Sequence, residues 1–430
     1  MDKRYYILGG ALILLIVFGT LFFISSREPK ESELNFVTSS EDEKNFEGII
    51  PAFEQANNVK VNFLKKNVEN YELESLNLLS TGKIDVWGIP YTWLAKQKNK
   101  LAAAAASLSE SYMTLYPESI AKQNSLEGQY YGAPLSLDAL VLFKNPELIS
   151  SARSKSALTD KQSEALSKSP DNWDIIGEQA KLITSKSGSS VTISGLALGS
   201  PNIDAASDIL TILMLQNGTQ MTNQDNTQAT FHTAVNKFGG ANFPGARALE
   251  YFAKFGQKNS LYFAFSDSLG DNVRAFSEGK VAYLIDYAKK EAEIKRINPD
   301  LNYEILSLPQ VKETQNPVNL LSYETLTVPQ TSKNQTLAWK FIEFLLEQNN
   351  YDQYYNQSGN YPALSYMIQN AQGVVEKSIA QSEYWYNPDP TQVEEIFKEA
   401  ITQATSGINP QTALESASLK VTELLGKLRE

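Results

Sequence analysis

Apolar and polar positions follow two different periods along this chain, and the periods change at regular intervals. Leu34 to Ser40 (LNFVTSS) is an apolar run that ends in hydroxyls, and Val59 to Leu64 (VKVNFL) alternates with a period of two. Both read as strands. Between them Phe46, Ile49, Ile50 and Phe53 fall at helical spacing and predict one helix across EDEKNFEGIIPAFEQANN. YELESLNLLSTGK then predicts a helix stopped by Gly82, followed by a short buried strand, Ile84 to Pro90. Strand, helix, strand, helix, strand specifies a parallel sheet with helices on its faces, so the fold class is α/β. Ligands of such sheets lie beyond the C-terminal strand ends, which directs attention to Thr38, Ser39 and the Ile89–Tyr91 region.

Further along, Tyr130-Tyr131-Gly132 leads through Pro134 into an apolar run, Leu140 to Phe143, with the single acid Asp138 just before it. VTISGLALGS predicts a strand with a glycine-rich end. AASDILTILMLQNG predicts a helix with Ile209, Ile212, Leu213 and Leu215 on its core side. LAAAAASLSES reads as helix from propensity alone. SSARSKSALTDKQSEALSKSPDNW reads as a solvent-facing connection. Late in the chain, TSKNQTLAWKFIEFLLEQ places Leu337, Phe341, Phe344 and Leu345 on one face. TQVEEIFKEAITQATSG repeats that pattern up to Gly407, and a last helix opens with Asn409 as cap and Pro410 at its first position. There is no internal repeat.

The N-terminal stretch is of another kind. Ile7 to Ile24 carries no charge, and at about 1.5 Å per residue its length approaches that of a bilayer core. Lys3 and Arg4 precede it, which by the positive-inside rule leaves the rest of the chain outside the cytoplasm. The expectation is a single N-terminal transmembrane anchor in residues 1–30, with Ser26 to Glu33 as a polar tether. Secretion after cleavage of a signal segment is the alternative, although Ser25 and Ser26 follow bulky residues.

Composition removes several classes of function. A net charge of -11 argues against a nucleic-acid partner, which needs a basic face. No cysteine means no disulfide and no thiolate chemistry, and a single histidine, His232, cannot build the common zinc site. Neither a phosphate-binding loop nor a nucleophile elbow occurs, so an enzyme, a metal and a cofactor are all unexpected. In a chain with 49 acidic residues no catalytic carboxylate pair can be chosen from sequence.

The order of the segments resembles family 1 extracellular solute-binding proteins, the receptors of ABC importers that include the maltose-binding type. IPAFEQANNVKVNFL, LLSTGKIDVWGIPYTWL, GQYYGAPLSLDALVLFKNPEL, FSEGKVAYLIDY, LTVPQTSKNQTLAWKFIEFLLEQ, NYPA and the two C-terminal helices occur in the family's order, from about residue 34 to 428. The resemblance implies a two-lobed periplasmic-binding-protein-like (type II) fold with a cleft between lobes. One lobe would comprise residues 31–138 plus 310–356, the other 139–309 plus 357–430. It implies a monomeric receptor that takes a small solute, a carbohydrate first of all, and passes it to a membrane permease. A peptide, a polyamine or a phosphodiester is the alternative in the same fold, and a tethered adhesion or sensing protein is the alternative in another class.

The resemblance also bears on the site. The segment 130–145 would carry the first crossing between lobes, so Asp138 would either face the ligand or cap the crossing. Where the family's sugar binders often have glycine and tryptophan, this chain has Asp286 and Tyr287. Thr38 and Ser39 stand where an early tryptophan often occurs, and the Val393–Glu394 region replaces a stacking aromatic. Aromatic candidates are Tyr91, Trp93, Tyr323, Tyr384, Trp385 and Tyr386, since rings with polar tips suit a cleft that meets both faces of a ligand. Asp138, Asp286 and Glu324 together would favour a cation.

Overall fold

The computed structural model describes residues 32–155, 158–237, 240–312, 314, 316–369 and 371–429. The apolar run 7–24 lies outside them. Among the described residues no helix is long and apolar enough to cross a membrane.

The chain divides into two compact units, residues 1–87 with 331–357 and residues 88–330 with 358–430. In the first unit the strand Ser32–Thr38 lies parallel to Val59–Lys65 on one side and to the start of Val86–Pro90 on the other. This is the parallel arrangement that the alternating elements predict. One helix expected over 41–58 is instead a 3-10 turn, Glu43–Phe46, and a helix, Ile49–Asn57. They part at Gly48, whose φ of 82° cannot continue a helix. The core is aromatic: Phe36 meets Phe46, Phe63 and Phe341 edge-on at centroid distances of 5.6, 5.1 and 5.8 Å. Phe341 and Leu345 come from the late helix Gln335–Leu346 and are buried. Each such side chain taken from water contributes roughly 1.5–3 kcal/mol.

One carboxylate ties this unit together. Asp85, buried, accepts from the Asn35 backbone N–H at 2.8 Å through Oδ2. Its Oδ1 accepts from the Ser332 hydroxyl at 2.6 Å and from Asn334 Nδ2 at 3.2 Å. Two chain segments far apart in sequence are thus held by one side chain.

The second unit is organised on the strand Ser136–Lys144, nine residues of which the middle seven are buried. Tyr283–Tyr287 and Glu304–Ser307 pair with it antiparallel, and Leu321–Ser322 and Tyr361–Pro362 pair with its first half. The strand starts well before the apolar run Leu140–Phe143, so Asp138 lies inside it. Glu324–Pro329 pairs antiparallel with Ala133–Pro134 and with Leu101–Ala102. The alanine-rich stretch is therefore part strand, and its helix begins only at Ala106. These pairings, and the Tyr91 N–H donated to Tyr323 O at 3.1 Å, hold 88–138 and 310–330 to each other. The sequence-based division placed both stretches in the first lobe; the compact units place them in the second.

Four helices, Ala206–Gln216, Pro244–Ala253, Pro390–Thr405 and Pro410–Lys427, pack together. Two other readings change. VTISGLALGS forms a strand only over Ser190–Ile193, after which a single bridge from Ser194 to Val281 takes over. The serine- and lysine-rich connection contains the end of the helix Pro146–Arg153 and the whole of the helix Asp160–Ser167, the second opened by a Thr159–Gln162 capping box.

Because Asp85 satisfies donors from two segments and is itself buried, Asp85→Ala leaves those donors without an acceptor. It is expected to lower stability by about 2–4 kcal/mol, read as a loss of several degrees in the thermal midpoint. A midpoint unchanged within a degree would contradict this role.

Candidate functional site

The second unit contains a cavity of about 200 Å³. Five loci of the chain meet there. The turn Tyr91–Trp93 follows the strand Val86–Pro90 and supplies Tyr91 and Thr92. The helix Ala206–Gln216 supplies Ser207, Asp208 and Thr211, with Asp204 just before it. The end of Tyr283–Tyr287 and the strand Leu321–Ser322 supply Tyr287, Ser322 and Tyr323. The start of Pro390–Thr405 adds Glu394, preceded by Trp385 and Asn387.

The aromatic wall is held rigidly. Tyr91 and Tyr323 stack with centroids 4.3 Å apart and 12° between planes. Tyr323 Oη donates to Gln123 Oε1 at 2.8 Å and accepts from Asn124 Nδ2 at 3.1 Å, while Asn124 Oδ1 accepts from the Thr325 hydroxyl at 2.7 Å. Gly132 is required here: a Cβ on it would collide with Thr325 Oγ1 and Asn124 Oδ1. The Tyr-Tyr-Gly opening of the 130–145 segment thus makes room for the network that orients the stack. Trp385 stacks on Phe397 of the helix Pro390–Thr405 at 6.4 Å. That helix is capped by Asp389, which accepts from Gln392 N–H at 3.2 Å and pairs with Lys96 at 3.0 Å.

The polar side of the cavity is acidic. Asp208 Oδ2 accepts from the Tyr287 hydroxyl at 2.8 Å. Burial raises the pKa of Asp208, with Glu394 adding to the rise and the Tyr287 bond opposing it. Asp204 forms an ion pair with Lys290, and Glu394 one with Lys398 at 2.6 Å. Lys289 lies over the Tyr287 ring, 5.7 Å from its centroid.

Of the residues singled out in sequence, Tyr91, Tyr287, Tyr323 and Trp385 line this cavity, and Tyr384 joins Tyr91 and Trp385 around an adjoining recess. Trp93 is buried beside it without lining it, and Tyr386 is half-buried elsewhere. Glu324 packs onto Gly88, where a Cβ would strike its carboxyl. Thr38 and Ser39 belong to the first unit; Thr38 is buried, and its hydroxyl accepts the N–H groups of Ser40 and Glu41 at 3.3 and 3.2 Å. Asp138 is buried in its strand and accepts from Ala139 N–H at 2.9 Å and from Lys289 N–H at 3.3 Å, the capping alternative raised by its position. Asp286 is buried too: Oδ1 accepts from Tyr287 N–H at 2.8 Å, and Oδ2 has no partner among the described residues. Asp204, Asp208 and Thr211 were not found from sequence, because the helix that carries or follows them reads as a core stripe.

Burial pushes Asp138 up to about 6 and Asp286 up to about 7; Lys289 opposes the first, and Tyr287 N–H and Lys290 oppose the second. Both folded-state values lie above the unfolded one, so folding is penalised where the unfolded chain is ionised and the folded one resists ionisation. Stability from this pair falls as pH rises from about 4 towards 7. Asp286→Asn, which keeps an acceptor for Tyr287 N–H, is expected to raise the thermal midpoint at pH 8 but not at pH 4, by an amount on the order of 1–3 kcal/mol. Equal effects at both pH values would contradict the assignment.

Comparison with known proteins adds a second line of observation. Residues 48–382 match the model of a family described as bacterial extracellular solute-binding protein. The galactooligosaccharide-binding protein of Bacillus subtilis (strain 168) is 23% identical over 406 residues, which covers 90% of this chain and 88% of that one. The fold matches a cyclic alpha-maltosyl-1,6-maltose binding protein from Arthrobacter globiformis with a TM-score of 0.72 at 16% identity, covering 92% of this chain and 99% of that one. It also matches UgpB from Mycobacterium tuberculosis, solved with glycerophosphocholine, with a TM-score of 0.71 at 13% identity, covering 93% and 100%. The structural neighbours share a mixed α/β, two-lobed, periplasmic-binding-protein-like fold.

Proposed function

The chain belongs to the bacterial extracellular solute-binding proteins, and on that premise we propose that it is the receptor of an ABC importer and takes a saccharide into the cavity lined by Tyr91, Tyr287, Tyr323 and Trp385. One observation carries the reading: flat rings and hydrogen-bonding groups share a single cavity. A sugar ring has apolar C–H faces and a rim of hydroxyls, and the two kinds of wall answer the two kinds of surface. The relatives from Bacillus and Arthrobacter are both named for saccharides, which supports the same class. The phosphodiester alternative is disfavoured by charge, since Asp204, Asp208 and Glu394 would all face a phosphate.

Family membership puts the folded chain outside the cytoplasm. The uncharged run 7–24 acts as its anchor in this reading, and resistance of the full chain to alkaline carbonate extraction from membranes tests that; release into the soluble fraction would refute it. The working step is a population shift. A ligand that binds the closed arrangement of the lobes better than the open one stabilises closure by its differential affinity, and about 5.5 kcal/mol converts a mostly open population to a mostly closed one. The closed form is what a permease would recognise, and transport energy would come from a separate ATPase.

A thermal-shift screen of the full chain against mono- and oligosaccharides, peptides, polyamines and phosphodiesters tests the substrate class. A saccharide at about a hundred times its Kd stabilises by about 2.7 kcal/mol, and the midpoint should rise by a few degrees. Trp385→Ala and Tyr91→Ala should each weaken that saccharide by roughly tenfold or more. Shifts with polyamines or peptides alone would replace the saccharide reading, and no shift with any compound would favour the adhesion or sensing alternative.

A further inference from the structure

Three carboxylates line the cavity, and they are not equivalent. Asp204 is matched by Lys290 and Glu394 by Lys398. Asp208 has no cation in contact. Its Oδ2 is bonded to a neutral hydroxyl, that of Tyr287, and its Oδ1 takes no hydrogen bond from the described residues. The charged and titratable groups around it are few: Tyr287 and Lys289 from the strand Tyr283–Tyr287 and its exit, Glu394 from the helix Pro390–Thr405, and Tyr91 from the opposite wall. Lys289 acts on it only from a distance, since its ammonium lies over the Tyr287 ring.

Asp208 is half-buried at the cavity wall, and a carboxylate partly withdrawn from water with no cation in contact carries a cost that a charged partner or several donors would offset. The remaining wall is the stacked pair Tyr91–Tyr323 with Tyr287 and Trp385, whose ring faces are negative and attract a cation. We propose that the solute carries a protonated amine that pairs with Asp208, so that the ligand is an amino sugar rather than a neutral one. This rests on the saccharide reading and narrows it. The lysines on Asp204 and Glu394 leave Asp208 as the single lining carboxylate with a vacant ion-pairing position among the described residues, which makes one amine per ligand the expected number. Burial holds the Asp208 carboxyl above its usual range, and an ammonium would draw it back down. Amine binding therefore competes with a proton and weakens as pH falls, while the amine itself stays charged.

Calorimetric titration of the full chain with matched pairs tests this: D-glucosamine, D-galactosamine and 6-amino-6-deoxy-D-glucose, each against the parent sugar, at pH 7 and pH 5. The expected result is that at least one amine exceeds its parent by about tenfold or more at pH 7, and that the advantage shrinks as the pH is lowered. Asp208→Asn keeps the size of the side chain and an acceptor for Tyr287, and should bring amine and parent to within about threefold of each other. Retention of the wild-type thermal midpoint within a few degrees verifies that the variant folds. Should it not fold, Tyr287→Phe serves instead: loss of its donor raises the Asp208 pKa further, so the amine preference should fall away at a higher pH than in the wild type. Parent sugars that bind as well as their amines, or an amine preference that survives Asp208→Asn, overturn the inference and leave the saccharide reading standing. Absence of binding by every sugar, charged or neutral, overturns both.

Discussion

A strand buried on both faces must find partners for both of its edges, and in this protein the strand Ser136–Lys144 sets that condition for the whole second unit. It is satisfied by four other strands, all antiparallel, drawn from three separate parts of the chain. Two of them end at the cavity. Tyr283–Tyr287 pairs with Leu140 to Lys144 and so delivers Tyr287, while Leu321–Ser322 pairs with Ala139 and Asp138 and so delivers Tyr323. A one-residue slip in either ladder would turn those side chains to the other face. Asp138 stands where the two ladders meet. It accepts from Lys289 N–H and fixes the chain just after Tyr287, which makes it a positioning residue for the site by its hydrogen bonds.

Electrostatics then divides the acids by depth. Asp138 and Asp286 are buried in the sheet and resist ionisation, so they belong to the protein's own stability. Asp204, Asp208 and Glu394 open onto the cavity, and each has a different partner: an ammonium, a phenol, an ammonium. Among cavity-lining groups the difference in partner, more than the presence of charge, is what can distinguish one ligand from another. The opposite wall contributes no charge but much order, because the Tyr91–Tyr323 stack is locked through Gln123, Asn124 and Thr325 before any ligand arrives. Such preorganisation lowers the entropy that binding must overcome.

How much of this was legible in the sequence depended on whether a residue announced itself locally. The parallel βαβ order of residues 32–90 was readable because period-two and period-3.6 runs alternate cleanly there. The break at Gly48 was not, since the apolar spacing runs on through it. Tyr91, Tyr287, Tyr323 and Trp385 could be named because aromatics next to short strands are few and the family's segment order placed them. Asp208 could not. It is the only acid within AASDILTILMLQNG, and an acid in a first turn reads as ordinary dipole compensation. Only the return of Tyr287, 79 residues further on, gives it a partner and a meaning. Thr38 and Ser39 lie at a strand end, where ligands of such sheets are expected, but the Thr38 hydroxyl serves the local turn. Asp286 and Tyr287 stand where the family's sugar binders often have glycine and tryptophan, and of the two it is Tyr287 that reaches the cavity. In strands adjacent residues point to opposite faces, so a one-residue difference separates site from core.

The most direct measurement is hydrogen–deuterium exchange of the full chain, with and without the sugar from the saccharide panel that gives the largest thermal shift. Protection should appear in peptides covering 91–94, 204–211, 285–290, 320–323 and 384–394, the loci that converge on the cavity. Protection confined to other segments of the second unit, such as 189–201 and 256–268 around a separate recess of about 750 Å³, would contradict the assignment of the site.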